Sequence, residues 1–591
     1  MLPLSMRIKP LLITSAAIAL ALPALAQQAT QPAPQPQPST PVPAQAPSSN
    51  FLAAQPDSAG APASEGLVQE ITSLQLQPAA PAVEYPGWAR RDPWSVGPLN
   101  PADAGLSDDN WGAVSGAFLT TLMRRMDTPI ASRWAHIALR DALLAKMRTP
   151  RDVNPVDWVA ERAWLLLRMG EADAARMLVA GVDADRFTPK MVQVAVQSAL
   201  ASADPPALCP LEAGIRKYDA GIRALVQAMC SSLAGEPETA SEQIDDARRH
   251  GRIGGIDLTL AEKVVGAGAD TARAVTLEWD PVDRLNAWRF GLATATGVAV
   301  PDRLINASSP QLRAFQARAP LLSPQQRLDS ALIAGGLGIF SSQSLVDLYS
   351  AIYDATDPDD LPSTDAWQLR QAFAGRDQEA RVSAIRHLLA VGRDPLRKEA
   401  MRALVARAAS LIVPDAKFQD DAPELIAAML AAGYDRAATR WIPVVRRMKD
   451  ANGDRCWAML VLAAPDPSGA DISSARIGNF IGRDQSLGKE RSALLVAGLA
   501  GLGRISTGNA NSLNRRYGLG LGRVTNWTRI IDAAAGRGQA ATVITLTGTG
   551  FQTPNLARLP SAHMYHAIAG LERTNQDFTA RMIAAEALSR T

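Results

Sequence analysis

Cysteine is nearly missing from this chain: three residues, Cys209, Cys230 and Cys456, in a length of 591. That is too few for a fold held together by a disulfide framework. Aromatics are scarce at 5%, so cores must close through smaller side chains. Neither sign of charge prevails, with 60 lysines and arginines against 58 aspartates and glutamates, and no tail or block of one sign stands out. The electrostatic footprint of a nucleic-acid binder is therefore missing, and nothing in the running sequence argues for a highly charged partner. After residue 26 no stretch is apolar enough to span a bilayer. Strand signals are as rare: the one β-branched run is Thr542–Thr547, and even there a helix under a glycine turn is expected.

What is abundant is alanine, within a composition that is 47% hydrophobic and 20% charged. This mix suits folded helices packed closely through small side chains. The length exceeds one core, which leaves a few globular units or one long repeat array.

The N-terminus reads as an export signal. Arg7 and Lys9 give a basic start, Leu11 to Leu22 an apolar run, and Ala24-Leu25-Ala26 a small-residue cleavage site. Residues 1–26 are predicted to be removed between Ala26 and Gln27, placing the mature chain in the periplasm or outside the cell. In such an oxidising compartment Cys209 and Cys230 can form a disulfide across two neighbouring helices, or remain two buried thiols. Cys456 is expected to be buried beside Trp457.

Residues 27–83 form a proline-, glutamine- and alanine-rich tract that cannot bury enough apolar surface to order itself, and read as a disordered linker. Its one apolar island is Leu67, Val68, Ile71, Leu74 and Leu76. The aromatics Tyr85, Trp88 and Trp94 are expected to cap the first helix pair. From 84 to 475 helical periodicity dominates. One stripe is Trp111, Val114, Phe118 and Leu122, and the next is Trp134, Ile137, Leu144 and Met147. Asn154-Pro155 and Thr188-Pro189 mark helix starts, while Gly170, Gly235 and Gly433 mark stops. Glycine becomes frequent between 476 and 591, which reads as a looser helical C-terminal module.

The segment Ala163-Trp-Leu-Leu-Leu-Arg-Met-Gly170-Glu171-Ala-Asp-Ala174-Ala175 resembles the helix, glycine turn and alanine-faced second helix of a tetratricopeptide-like repeat. Leu233-Ala-Gly235-Glu236 and Ala432-Gly433-Tyr434, each followed by alanines, look like further copies. The resemblance implies an all-α fold, an α-solenoid of antiparallel helix pairs following the disordered linker, used for binding. Soluble lytic transglycosylases, which act on cell-wall glycan, are similar in their helical stack alone; their catalytic glutamate–serine motif is not found after residue 450.

No other chemical motif is complete. Gly518, Gly520 and Gly522 lack the preceding strand of a dinucleotide loop. His563 and His566 share a helix face without the further ligands that zinc needs. Asp450, Asn452 and Asp454 open a calcium-like loop that fails at Arg455 and Val461. Ser486 and Lys489 have a penicillin-recognising spacing without its companion motifs. The aspartate pairs 108–109, 245–246, 359–360 and 420–421 are assigned mostly to helix starts. No catalytic, metal-binding or cofactor-binding residue is assigned, and no cofactor is expected. The reading is a non-catalytic binding or scaffolding protein of the envelope, whose partner is another envelope protein or an extended peptide or glycan. The alternative is a glycan-acting enzyme whose acids, such as Glu161, Glu278 or Glu490, converge only in three dimensions.

Overall fold

Proline-led helix starts recur along the chain, and each is held by the residue before it. Asn154 Oδ1 accepts from the backbone of Val156 and Asp157 to open the helix Pro155–Met169. Thr188 does the same for Pro189–Ala201, as do Ser309, Ser323 and Asp394 for the helices that begin at Pro310, Pro324 and Pro395. A computed structural model describes residues 86–591 except 127–128, 216–219, 252 and 269–274. The expected signal peptide 1–26, its cleavage point at Ala26 and Gln27, the linker 27–83 and Tyr85 lie outside the described residues. Those described fall within one unit, Ser49–Thr591. They are helical, with two isolated bridges and no strand among them; the run Thr542–Thr547 lies inside the helix Ala540–Gly550.

The three glycine turns behave differently. Gly170 (φ 91°) joins Pro155–Met169 to Ala172–Val179, and Gly235 (φ 83°) joins Ala220–Leu233 to Pro237–His250. Both partners pack on each other, with Ala174, Ala175 and Ala240 buried between them. After Gly433 (φ 79°), however, the second helix is a stub of five residues, Asp435–Thr439. The first stripe also differs from its expected course. Gly112 adopts φ 66° and breaks the helix, so Trp111 lies in a turn, buried edge-on against Trp158 at 5.2 Å. The helix begins only at Gly116 and buries Leu119 and Met123 instead of Phe118 and Leu122. Nor do the tryptophans before it act as a cap: Trp88 is 89% exposed and Trp94 55%, and Val96, Pro101 and Leu106 are the residues that bury.

Cys209, in the short 3-10 turn Pro205–Leu211, is bonded to Cys230 in the helix Ala220–Leu233, with their Cα atoms 5.6 Å apart. Cys456 is free and buried, and burial pushes its thiol up to about 12.

Residues far apart in sequence also meet. The helix Arg133–Leu144 packs on Ala540–Gly550 and on Asp577–Arg590, so early and late helices share one core. Asp577–Arg590 touches Ala422–Ala431, Ala451–Ala463 and Glu490–Gly501 as well, and is buried from Ala580 to Ser589. The glycines of the stretch 476–591 include points of close approach. A Cβ on Gly501 would stand 2.8 Å from the side chain of Ile568, and one on Gly498 2.9 Å from Leu462. At these positions glycine marks close backbone-to-side-chain packing, whereas Gly482, Gly488, Gly503 and Gly536 have open space around them.

A second device recurs at helix ends. The last carbonyls of a helix have no partner within it, and here arginines from other helices supply one. Arg168 reaches Met123 O at 2.7 Å and Arg124 O and Met126 O at 2.9 Å, ending Gly116–Arg124. Arg162 donates to Leu143 O at 2.8 Å and Ala145 O at 3.1 Å, ending Arg133–Leu144. Burial lowers Arg162 to about 9, still charged at neutral pH. Arg504 and Arg581 finish Ala451–Ala463 through Val461 O, Ala463 O and Ala464 O. Each such charged hydrogen bond contributes roughly 1.5–3 kcal/mol.

Candidate functional site

The isolated acids named from the sequence do not form a pair. Glu161 is buried; burial pushes its pKa up, but hydrogen bonds from Arg124 (Nε, 2.9 Å) and Lys190 (Nζ, 2.5 Å) outweigh this and hold it below the usual carboxylate range. Glu278 is exposed before the helix Ala287–Ala295, and Glu490 begins the helix Glu490–Gly501. His563 lies against the Trp527 ring at 4.4 Å, while His566 contacts Asp532 at 2.9 Å. Lys489 turns from Ser486 to donate to Ile481 O at 2.7 Å. Among the aspartate pairs, Asp245 and Asp246 lie in the second half of Pro237–His250, facing Arg248 and His250, so the helix-start account fails there. Asp421 does stand at a helix start, but its carboxylate grips Arg386 through two bonds of 2.9 Å.

Two arginine–carboxylate networks emerge instead. The first is a buried knot. Glu586 accepts from Ser132 Oγ at 2.5 Å, from the backbone N–H of Arg133 at 2.8 Å and of Trp134 at 3.3 Å, and from Arg590 at 2.7 Å. It thereby satisfies the start of Arg133–Leu144 from another helix. Arg133 in turn donates to Gly335 O at 3.0 Å, Ala431 O at 2.5 Å and Phe340 O at 3.2 Å. Alongside, buried Arg402 bridges Glu399 (2.5 Å) and Glu424 (3.0 Å), and Arg455 reaches Glu424 at 2.9 Å. Burial pushes Glu424 up, yet Arg402, Arg455 and Lys398 reverse this and hold it at about 2.

The second network lines a furrow made of three clefts that share residues. The first, about 370 Å³, has walls from Ile442 to Arg483; the second, about 630 Å³, shares Lys449, Asp454 and Arg483 with it; the third, about 460 Å³, shares Arg455 and Arg491 with the second and ends at Arg393 and Lys398. At its centre Asp454 is clamped by Arg476 (2.8 Å) and by Arg483 (both bonds 2.7 Å), and the Arg476 guanidinium lies 4.0 Å from the centre of the Trp457 ring. Burial raises Asp454, but the two arginines outweigh it and keep it ionised.

Charge in the furrow is unbalanced. Arg393, Lys398, Arg446, Lys449, Arg455, Arg476, Arg483 and Arg491 line it. Several of the acids are occupied by backbone: Asp394 opens Pro395–Ser410, Asp450 opens Ala451–Ala463, Asp471 holds Ser473 N, and Asp484 holds the backbone N–H groups of Ser486 and Ser492. Sequence reading missed this concentration because its cations come from segments spread between 393 and 491. One local signal existed: Arg476 and Arg483 stand seven apart, two turns along one face of Ser474–Arg483.

No helix of the described residues is long and apolar enough to cross a membrane. No family model, curated protein or solved structure matches the chain.

Proposed function

We propose that the chain is a binding or scaffolding protein of the cell envelope, exported and freed of residues 1–26, in which tetratricopeptide-like helix pairs follow a Pro/Gln-rich linker and present one recognition surface. The observation that carries this reading is the furrow, a run of adjoining clefts past several helices in which Arg446 and Lys449 have no carboxylate partner among the described residues. The helix pairs turned at Gly170 and Gly235 support the repeat reading, and Arg7, Lys9 and the site at Ala26-Gln27 support export. The alternative of a glycan-acting enzyme draws no support from Glu161 or Glu399. Both carboxylates are gripped by cations and held below their usual range despite burial, the reverse of what a proton donor to a glycosidic oxygen requires.

The test is crosslinking capture from envelope extracts with the full mature chain and with the triple variant R446E/K449E/R491E. The expected result is a partner enriched by the native chain, weakened by salt and lost from the variant. The same captured set from both would refute the reading. N-terminal sequencing of the exported chain should begin at Gln27.

A further inference from the structure

We infer that the end of the furrow beside Trp457 receives an extended peptide in which an apolar side chain adjoins a carboxylate; this rests on the binding role proposed above and names its partner class. Here the floor is apolar, formed by Ile442, Val445, Met448, Trp457 and Leu460. Val445, Trp457 and Leu460 are buried, while Ile442 and Met448 are half-buried. Over this floor stand Arg446, Lys449, Arg476 and Arg483. Arg446 bonds Gly469 O and Lys449 bonds Arg446 O, and neither has a carboxylate partner among the described residues. Arg476 is already engaged by Asp454 and the Trp457 ring, so the donors open to a ligand are Arg446 and Lys449. An ionised carboxylate is the natural acceptor for such donors, and a charge-assisted bond of this kind is the strong kind.

The mixture of surfaces selects the partner. A phosphate-rich polymer would satisfy the cations but leave the apolar floor wet. A bilayer surface cannot enter a concave cleft. A peptide that alternates acidic and apolar residues meets both demands: apolar groups fill the floor, and carboxylates reach the rim.

The experiment is fluorescence polarisation of the full mature chain with short labelled peptides at low salt. One peptide alternates glutamate with leucine; the controls alternate glutamate with serine and lysine with leucine. Polyphosphate and phosphatidylglycerol vesicles are added as competitors. The Glu/Leu peptide should bind, with affinity falling about tenfold in R446E/K449E, whose residues are exposed and whose loss leaves the core intact. Ile442→Gln should weaken it several-fold, with helix content checked by circular dichroism. Equal binding of the Glu/Ser peptide, unchanged affinity in R446E/K449E, or complete displacement by polyphosphate or vesicles at lower concentration would each overturn the inference. If no peptide binds while envelope capture still depends on the furrow's charge, the peptide assignment falls and the binding role stands. Capture that ignores charge reversal ends both.

Discussion

The knot at Glu586 and the furrow at Asp454 both hold a carboxylate bonded to arginine, yet their surroundings differ. In the knot, Glu586 is buried and saturated by one hydroxyl, two backbone N–H groups and one guanidinium, and Arg133 by three carbonyls. In the furrow, Asp454 meets two arginines while Arg446 and Lys449 beside it find only backbone oxygens. A buried guanidinium whose donors are all taken fixes the fold; an exposed cation with donors to spare is available to a ligand. Residue type does not separate the two cases, and the count of partners does.

The comparison can be broken most sharply at Glu586. Glu586→Ala leaves Arg590 and two helix-start N–H groups without their buried acceptor, and should cost about 3–5 kcal/mol in urea denaturation while leaving peptide affinity unchanged. A loss below ~1 kcal/mol would mean the knot is not what joins early and late helices. Outside both networks, reduction of Cys209–Cys230 frees a loop of sequence separation 21 and should cost about 3 kcal/mol in the same assay. Equal stability with and without reductant would show that this region contributes nothing to global unfolding.

Acid sharpens the contrast. Glu424 is held at about 2 against an ordinary value of 4.5. Its folded-state pKa is depressed, so its stabilisation is complete above about pH 4.5 and is lost as pH falls towards 2. Denaturation midpoints measured across that window should fall more steeply for the native chain than for Glu424→Gln. The smallest effect on stability is expected at the furrow. Asp454→Ala removes a partly exposed pair and should cost only about 1 kcal/mol, yet it should tighten Glu/Leu peptide binding several-fold by releasing Arg476 and Arg483. Weaker binding in this variant would assign the two arginines to the clamp alone.

Local features were readable in the sequence because they depend on neighbours a few residues away. Asn154 and Thr188 cap helices because a short side chain reaches N–H groups just ahead of it, and Gly170 and Gly235 turn because only glycine takes that φ readily. The stripe from Trp111 misled because periodicity cannot register the positive φ of Gly112. The networks were out of reach for a different reason: Ser132 and Glu586 lie 454 residues apart, and the furrow draws single cations from many segments of a chain whose total charge is close to zero. Balanced composition hid an unbalanced surface.

Arginines that finish helices other than their own have a consequence for how the protein is made. Arg133–Leu144 leaves the ribosome long before Asp577–Arg590, which supplies the carboxylate at its first turn, and Ala451–Ala463 waits for Arg504 and Arg581. The first turn of Arg133–Leu144 therefore lacks its acceptor until Glu586 has been made. On the export proposed above, that dependence keeps the chain threadable until its late-made helices have followed.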